Sequence, residues 1–264
     1  MTSDKNIFDR RDLAGPFDII GDVHGCADEL EELLGLLGYE VEWSGSDVSV
    51  TPPRGRTLVF VGDLVDRGPR TPDVLRIAMA IAMAEAGTAL CVDGNHDNKF
   101  ARWINGANVT RNHGLQASAD QMAGEDPAFH ARVRKYLAGL PIYLWLDGGK
   151  LVVAHAGLKE EMIGQSGGKV KSFALFGDTT GEVDGFGSPV RRNWALEYRG
   201  ASAVVYGHVA APEVQAVNNT WCIDTGCCFG GRLTALRWPE RELVSVPARQ
   251  VWFEGARPLS ERTR

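Results

Sequence analysis

The sequence predicts an α/β fold, and three observations carry that expectation. Short apolar runs closed by glycine recur along the chain, helical patterns separate the early ones, and five of the runs end in candidate metal ligands. Apolar runs bounded by turn formers are the mark of strands buried on both faces. Strands alternating with helices build βαβ units.

The first run is FDIIGDVHG, residues 17–25. It leads into ADELEELLGLLGY (27–39), which places Leu30, Leu33, Leu34 and Leu37 on one helical face. TLVFVGDLVDRG (57–68) is the second run, and TPDVLRIAMAIAMAEAG (71–87) the second helix, with Gly87 as its stop. ALCVDGNHD (89–97), LVVAHAG (151–157) and SAVVYGHV (202–209) complete the five. In the last third TWCIDTG, RLTALRW and ELVSVPA (220–248) lie close together across turns such as PERE, the pattern of an antiparallel meander or second sheet. Residues 158–200 are glycine-rich with little periodicity, and read as a long loop hanging over the site that His155 enters. No repeat or linker divides the chain, so one domain is expected over 15–250, with tails at 1–14 and 254–264.

Composition narrows the classes. At 264 residues, 44% hydrophobic and 23% charged, the chain reads as an ordinary globular protein. It has no apolar run of membrane-spanning length, and its polar start lacks the core of a secretory signal; the expectation is a cytoplasmic protein. Five cysteines (26, 91, 222, 227 and 228) form no CxxC pair, which suits a reducing compartment and buried free thiols. The net charge of −6 argues against a grip on long nucleic acid, which needs a basic face. Small or short phosphorylated substrates remain compatible. His113 and His130, in a polar helical stretch, read as surface residues, and the seven scattered tryptophans as core or rim packing.

The chemistry lies at the run ends. Residues i and i+2 leaving a strand point the same way, so Asp22 and His24 can hold one ion. Asp63, Asn95, His155 and His208 each stand at or just beyond a further strand end, where ligands collect in open α/β sheets. Oxygen and nitrogen donors without thiolate suit Mn²⁺ best, with Fe, Zn²⁺ or Ni as alternatives. Six ligands exceed what one ion with an open position takes, and a carboxylate can bridge. Two ions about 3.5–4 Å apart clamp a phosphoryl group for in-line displacement. Charge counting leaves a small positive surplus, joined by Arg67, which matches a phosphate dianion.

The ordered set GDVHG, GDLVDRG, GNHD, a strand-end His and a later GH resembles the signature of the calcineurin-like metallophosphoesterases. It is most similar to their phosphoprotein-phosphatase branch, which includes bacterial diadenosine tetraphosphatases. FDIIGDVHGCADEL, LVVAHAGLKEEM, SFALFGDTTGE and CIDTGCCFGGRLTALRWPERELVSVPA also resemble the phosphatase module of bacterial polynucleotide kinase-phosphatase, an RNA-repair enzyme. The likeness runs from about Phe17 to Ala248. It implies two packed mixed β-sheets flanked by helices, an αββα sandwich. It implies that Asp22, His24 and Asp63 hold one ion, and that Asp63, Asn95, His155 and His208 hold the second, with Asp63 bridging. By the same resemblance His96 is the general acid, Asp66 orients it, and Arg67 grips phosphate. Asp224 is a candidate carboxylate behind the ligands, and Arg191 and Arg192 are candidate substrate contacts. Two features depart from the repair enzymes. The chain has no GxxxxGK[ST] loop, so a repair role would need partners in trans, and Asp93 adds negative charge before GNHD.

The expected reaction is hydrolysis of phosphomonoesters, on a phosphoprotein or a nucleotide or polynucleotide end, by metal-activated water. The alternative is a dinucleoside polyphosphate such as diadenosine tetraphosphate. An inactive phosphate-binding module is a remote third reading, since every ligand and His96 are present.

Overall fold

A computed structural model describes residues 8–83, 89–187 and 189–261. The chain runs β1 (Phe17–Ile20), α1 (Ala27–Leu37), β2 (Glu40–Ser44), β3 (Asp47–Thr51), β4 (Thr57–Phe60), α2 (Thr71–Met83) and β5 (Ala89–Cys91). Helices α3 (Asn95–Ile104), α4 (Leu115–Met122) and α5 (Pro127–Ala138) follow, then β6 (Tyr143–Leu146), β7 (Leu151–Ala154), α6 (Gly168–Phe176), β8 (Thr179–Val183) and β9 (Pro189–Arg191). The chain closes through β10 (Ala203–Tyr206), β11 (Gln215–Val217), β12 (Thr220–Cys222), β13 (Arg232–Trp238) and β14 (Glu242–Pro247).

Two five-stranded sheets form, ordered β14-β13-β1-β4-β5 and β11-β12-β10-β7-β6. Within the first, β1, β4 and β5 run parallel while β13 is antiparallel to β1. Within the second, β7, β10 and β12 run parallel while β6 and β11 are antiparallel additions. Both sheets are therefore mixed, as expected.

Alternation along each strand explains why the sheets stack. Ile19, Val59, Leu151, Val153, Ala203 and Val205 belong to one core between the sheets. Their neighbours Ile20, Leu58 and Phe60 turn outward onto α1 and α2, and Val152, Val204 and Tyr206 outward onto α6 and Trp194. Strands apolar on both faces must be covered twice, which yields helix, sheet, sheet, helix. Each fully buried Leu, Ile, Val or Phe adds about 1.5–3 kcal/mol of transfer free energy to this arrangement.

The structure corrects several expectations. The first helix stops at Leu37 because Gly38 takes the left-handed conformation, with φ 90°. The second is described only to Met83, and Gly87 lies outside the described residues. The segment 158–200 is not a bare loop: it contains α6 and the β8–β9 hairpin. The 220–248 region is not one meander. β12 pairs parallel with β10 in one sheet, while β13 and β14 form a hairpin in the other. The chain therefore crosses between sheets through Asp224 and the two adjacent cysteines. The expected tails are partly packed as well. Phe8 is buried and stacks on Tyr143 at 4.5 Å, and Leu259 packs against Gly226.

His113 is exposed, but it occupies a left-handed turn (φ 56°) before α4 rather than a helix. His130 is half-buried on α5, with Nε2 2.8 Å from the Met122 carbonyl. All five cysteines are buried and free, as expected. Among the described residues no helix is long and apolar enough to cross a membrane.

Candidate metal centre

Asp22, Asp63 and Asn95 follow β1, β4 and β5 of one sheet; His155 and His208 follow β7 and β10 of the other. Each set of parallel strands ends at the same edge, and stacking the sheets brings the five ends together. The backbone is bent to make this convergence. His24, Asp63, Asp66, Arg67 and His208 all have positive φ, at 46°, 51°, 72°, 71° and 73°. For a residue with a Cβ this conformation costs about 1–2 kcal/mol, and such strain gathers at functional sites. Close approach adds a second demand. A methyl group on Gly207 would collide with the Asp22 carboxylate, and one on Gly94 with Asp63.

Backbone carbonyls set the imidazole tautomers. His24 Nδ1–H donates to Val65 O (2.8 Å) and His155 Nδ1–H to Val61 O (3.0 Å), leaving each Nε2 with a lone pair facing inward. His155 Nε2 lies 2.9 Å from Asn95 Oδ1, 3.4 Å from Asp63 Oδ2 and 3.0 Å from His208 Nδ1. His24 Nε2 lies 3.4 Å from Asp63 Oδ2 as well. Two groups of metal-ligating atoms result, His24 with Asp63 and His96, and Asp63 with His155 and His208, each within 4.8 Å. Asp63 belongs to both. Asp22 stands beside them, its carboxylate turned to the His208 backbone N–H at 3.0 Å rather than into the His24 group.

The donor set fits divalent cations. The His155 lone pair, the Asn95 amide oxygen and the Asp63 carboxylate converge on one spot, and oxygen and nitrogen acceptors gathered this way suit a divalent cation. His155 is neutral, since burial brings it down to about 3. Burial also holds Asp22 and Asp63 well above the ordinary carboxylate range, reinforced by Asp224 and Asp63 acting on Asp22 and by Asp97 acting on Asp63. Buried anions in this state call for positive charge.

Arg67 supplies part of it, donating to His24 Nε2 (2.7 Å) and His96 Nε2 (2.8 Å). His96 Nδ1 in turn meets Asp66 Oδ2 at 2.7 Å. Burial, then Arg67, holds His96 well below its ordinary range, and burial lifts Asp66 to about 7. The second arginine pair divides. Arg191, on β9, reaches His208 Nε2 at 3.0 Å, whereas Arg192 is mostly exposed and lies 3.7 Å from Asp178. Asp224 is buried and accepts from Gly226 N–H at 3.0 Å, close enough to raise Asp22 but in neither ligand group. Asp93 bonds Asn98 at 2.8 Å, and burial raises it to about 6.

Sequence reasoning missed several neighbours. Asp97 accepts from Leu64 N–H and Gly94 N–H, tying the second and third motifs together. Its place as the last residue of GNHD, three after the Gly94 that caps α3, was a readable signal. Ser118 Oγ holds Asp66 N–H at 3.0 Å, and Phe229 and Phe253 lie 5.0 and 5.8 Å from the Arg67 guanidinium. Nothing local in the sequence marks these three.

A fold of two mixed sheets with His and Asp ligand groups at their common edge is that of a metal-dependent hydrolase. The profile of the calcineurin-like phosphoesterases matches residues 15–212, and the chain belongs to that family, hydrolases of phosphoester bonds that use divalent metals. The chain is 48% identical over 236 residues to the asymmetrical bis(5'-nucleosyl)-tetraphosphatase PrpE of Anoxybacillus flavithermus, covering 88% of this chain and 94% of that protein. It is 46% identical over 235 residues to the protein of the same name from Bacillus velezensis, covering 87% and 92%. A crystal structure described as "a putative diadenosine tetraphosphatase" superposes with a TM-score of 0.66 at 27% identity, over 92% of this chain and 98% of that one. A serine/threonine phosphatase from Saccharomyces cerevisiae shares the fold, with a TM-score of 0.59 at 13% identity over 90% and 80% of the two chains. Of the likenesses implied by the motifs, that to diadenosine tetraphosphatases is borne out.

Metal binding should register in stability, with a definite pH dependence. Asp22 and Asp63 are raised in the folded state, so the metal-free protein loses stability as pH climbs from the ordinary carboxylate range through their folded values. A divalent ion must displace those protons, so its stabilising effect grows with pH. At a hundredfold excess over Kd one ion adds about 2.7 kcal/mol. Melting curves with and without Mn²⁺ should show a larger shift at pH 8 than at pH 5.5. Equal shifts would contradict a carboxylate-based centre.

Proposed function

We propose that this chain hydrolyses dinucleoside tetraphosphates asymmetrically, giving a nucleoside triphosphate and a nucleoside monophosphate, with Mn²⁺ as the preferred metal. The observation that carries the reading is 48% identity across 94% of a relative bearing that activity in its name. The motif-based expectation of phosphomonoesters gives way to its alternative on this ground.

The ligand roles are those the motifs imply: Asp63 would be shared, with His24 and Asp22 serving one ion and Asn95, His155 and His208 the other. This asks the Asp22 carboxylate to turn from the His208 N–H toward His24. Bound there, two divalent ions lower the pKa of water and polarise phosphoryl oxygens. Around them the chain's own groups act on the substrate. Arg67, held at 2.7–2.8 Å from His24 and His96, is placed to exchange those imidazole contacts for phosphate oxygens. Arg191 enters from the β8–β9 hairpin on the opposite side, beside His208, so the two guanidiniums can grip successive phosphates. Arg192 takes no part in this reading. His96, braced by Asp66, meets the leaving oxygen. Asp224 acts on Asp22 through its charge, from a carboxylate held by the Gly226 N–H.

The test is a product analysis. With Mn²⁺ and diadenosine tetraphosphate, chromatography should show ATP and AMP in equal amounts. Two ADP would contradict asymmetric attack. Fast turnover of a 5'-phosphorylated oligonucleotide or a phosphopeptide, with the tetraphosphate left intact, would return the phosphomonoester reading to first place.

A further inference from the structure

A second cluster of metal-ligating groups lies outside the catalytic centre. Cys26 precedes α1 without capping it through its side chain, and Cys227 sits in the turn between β12 and β13. Their sulfurs and a carboxylate oxygen of Glu29 all lie within 4.8 Å of one another. The three residues are 0%, 1% and 0% exposed. Cys228, next in sequence, turns away toward Arg67, with Sγ 3.9 Å from its guanidinium, and is not part of the group.

Glu29 makes the cluster unusual. Its Oε1 accepts from Arg249 N–H (2.9 Å) and Trp252 Nε1–H (2.8 Å). Its Oε2 is buried and has no hydrogen-bond partner among the described residues. No ion pair among the described residues includes Glu29. A buried, ionised carboxylate without compensating charge costs several kcal/mol. A cation held between this carboxylate and the two sulfurs would supply both the charge and the partner that Oε2 lacks.

We propose that Cys26, Cys227 and Glu29 form a third metal site, structural rather than catalytic, suited to Zn²⁺. Two sulfurs and one carboxylate oxygen are a donor set that Zn²⁺ takes at about 2.3 Å and 2.0–2.2 Å. In a tetrahedron those lengths put donor atoms roughly 3.3–3.8 Å apart, so atoms already within 4.8 Å need only a small inward closure. Binding releases two thiol protons and leaves the site with one net negative charge. Arg67, reached through Cys228, provides a positive charge nearby. Such an ion would fasten the turn after His24 to the turn after Asp224, holding two catalytic segments at a fixed separation from different sheets. The inference stands whether or not the tetraphosphate reading does.

Sulfur ligation gives a signature that an oxygen-and-nitrogen centre cannot. Because the site is closed, the full chain is expressed in zinc-depleted medium containing Co²⁺, so that metal enters during folding. The purified protein should show an intense sulfur-to-cobalt charge-transfer band in the near ultraviolet. The band should persist in His155→Ala, which weakens the catalytic centre, and vanish in Cys227→Ser with one cobalt fewer per chain. Glu29→Gln should release that cobalt to a chelator at least tenfold faster. A band that survives Cys227→Ser overturns the proposal. Should Cys227→Ser not fold, the wild-type spectrum decides alone: folded, cobalt-loaded protein without the band overturns it.

Discussion

Asp63→Asn is expected to abolish most turnover, by about a thousandfold, and to leave the purified protein one or two ions short per chain. Asparagine is the informative replacement because residue 63 has φ 51°, a conformation Asn tolerates and Ala resists. The change therefore removes a charge and a ligand oxygen while sparing the turn. Asp63 Oδ2 lies 3.4 Å from both His24 Nε2 and His155 Nε2, the only carboxylate in both ligand groups among the described residues. Metal ions supply several kcal/mol of transition-state stabilisation, and about 1.4 kcal/mol is tenfold in rate. The same substitution should raise the melting temperature of the metal-free protein, because it deletes a buried anion. Elemental analysis, kcat and melting curves together check the assignment. Full metal content at normal rate would remove Asp63 from its bridging role.

His96→Ala should show a loss that depends on the leaving group. General acid catalysis is worth about 10²–10⁴ in rate, but only where the departing oxygen needs a proton. An alkyl phosphate should lose that full factor. p-Nitrophenyl phosphate and diadenosine tetraphosphate should lose much less, since nitrophenolate and a nucleotide phosphate both leave as stable anions. Asp66, 2.7 Å from His96 Nδ1, orients the ring, so Asp66→Asn should give a milder version of the same ranking. On the proposed role, Arg67→Ala should instead impair all three substrates and raise KM, since a guanidinium that grips phosphate acts irrespective of what departs. Metal content should stay whole in His96→Ala. If His96→Ala costs the alkyl ester and the tetraphosphate equally, the imidazole binds phosphate and is not the acid. If metal is lost, its position beside His24 and Asp63 marks it as a ligand.

Much of this was legible before any coordinates. Metal motifs at strand ends are local objects: glycine, carboxylate and histidine must stand at fixed spacing for one turn to present them, so GDVHG, GDLVDRG and GNHD can be read directly. The core-facing leucines of α1 are likewise a matter of period, and all four are buried. The parallel strands followed from apolar runs covered on both faces.

What could not be read depends on segments distant in sequence. Arg191 and Arg192 are neighbours in the chain; alternation at the end of β9 sends one to His208 and the other to Asp178, and only the packing of the hairpin decides which. Ser118, Phe229 and Phe253 reach the second motif, GDLVDRG, from distant segments. The last third read as an antiparallel meander or second sheet because a strand's sequence records its burial but not its partner, and β12 and β13 joined different sheets. That crossover placed Cys227 against Cys26 and Glu29, some 200 residues earlier. The sequence by itself determined the chemistry of the strand ends, because ligand type and local spacing reside in a few adjacent residues. The tertiary structure alone decided which side chains surround that chemistry, because packing two sheets joins positions that no local pattern connects.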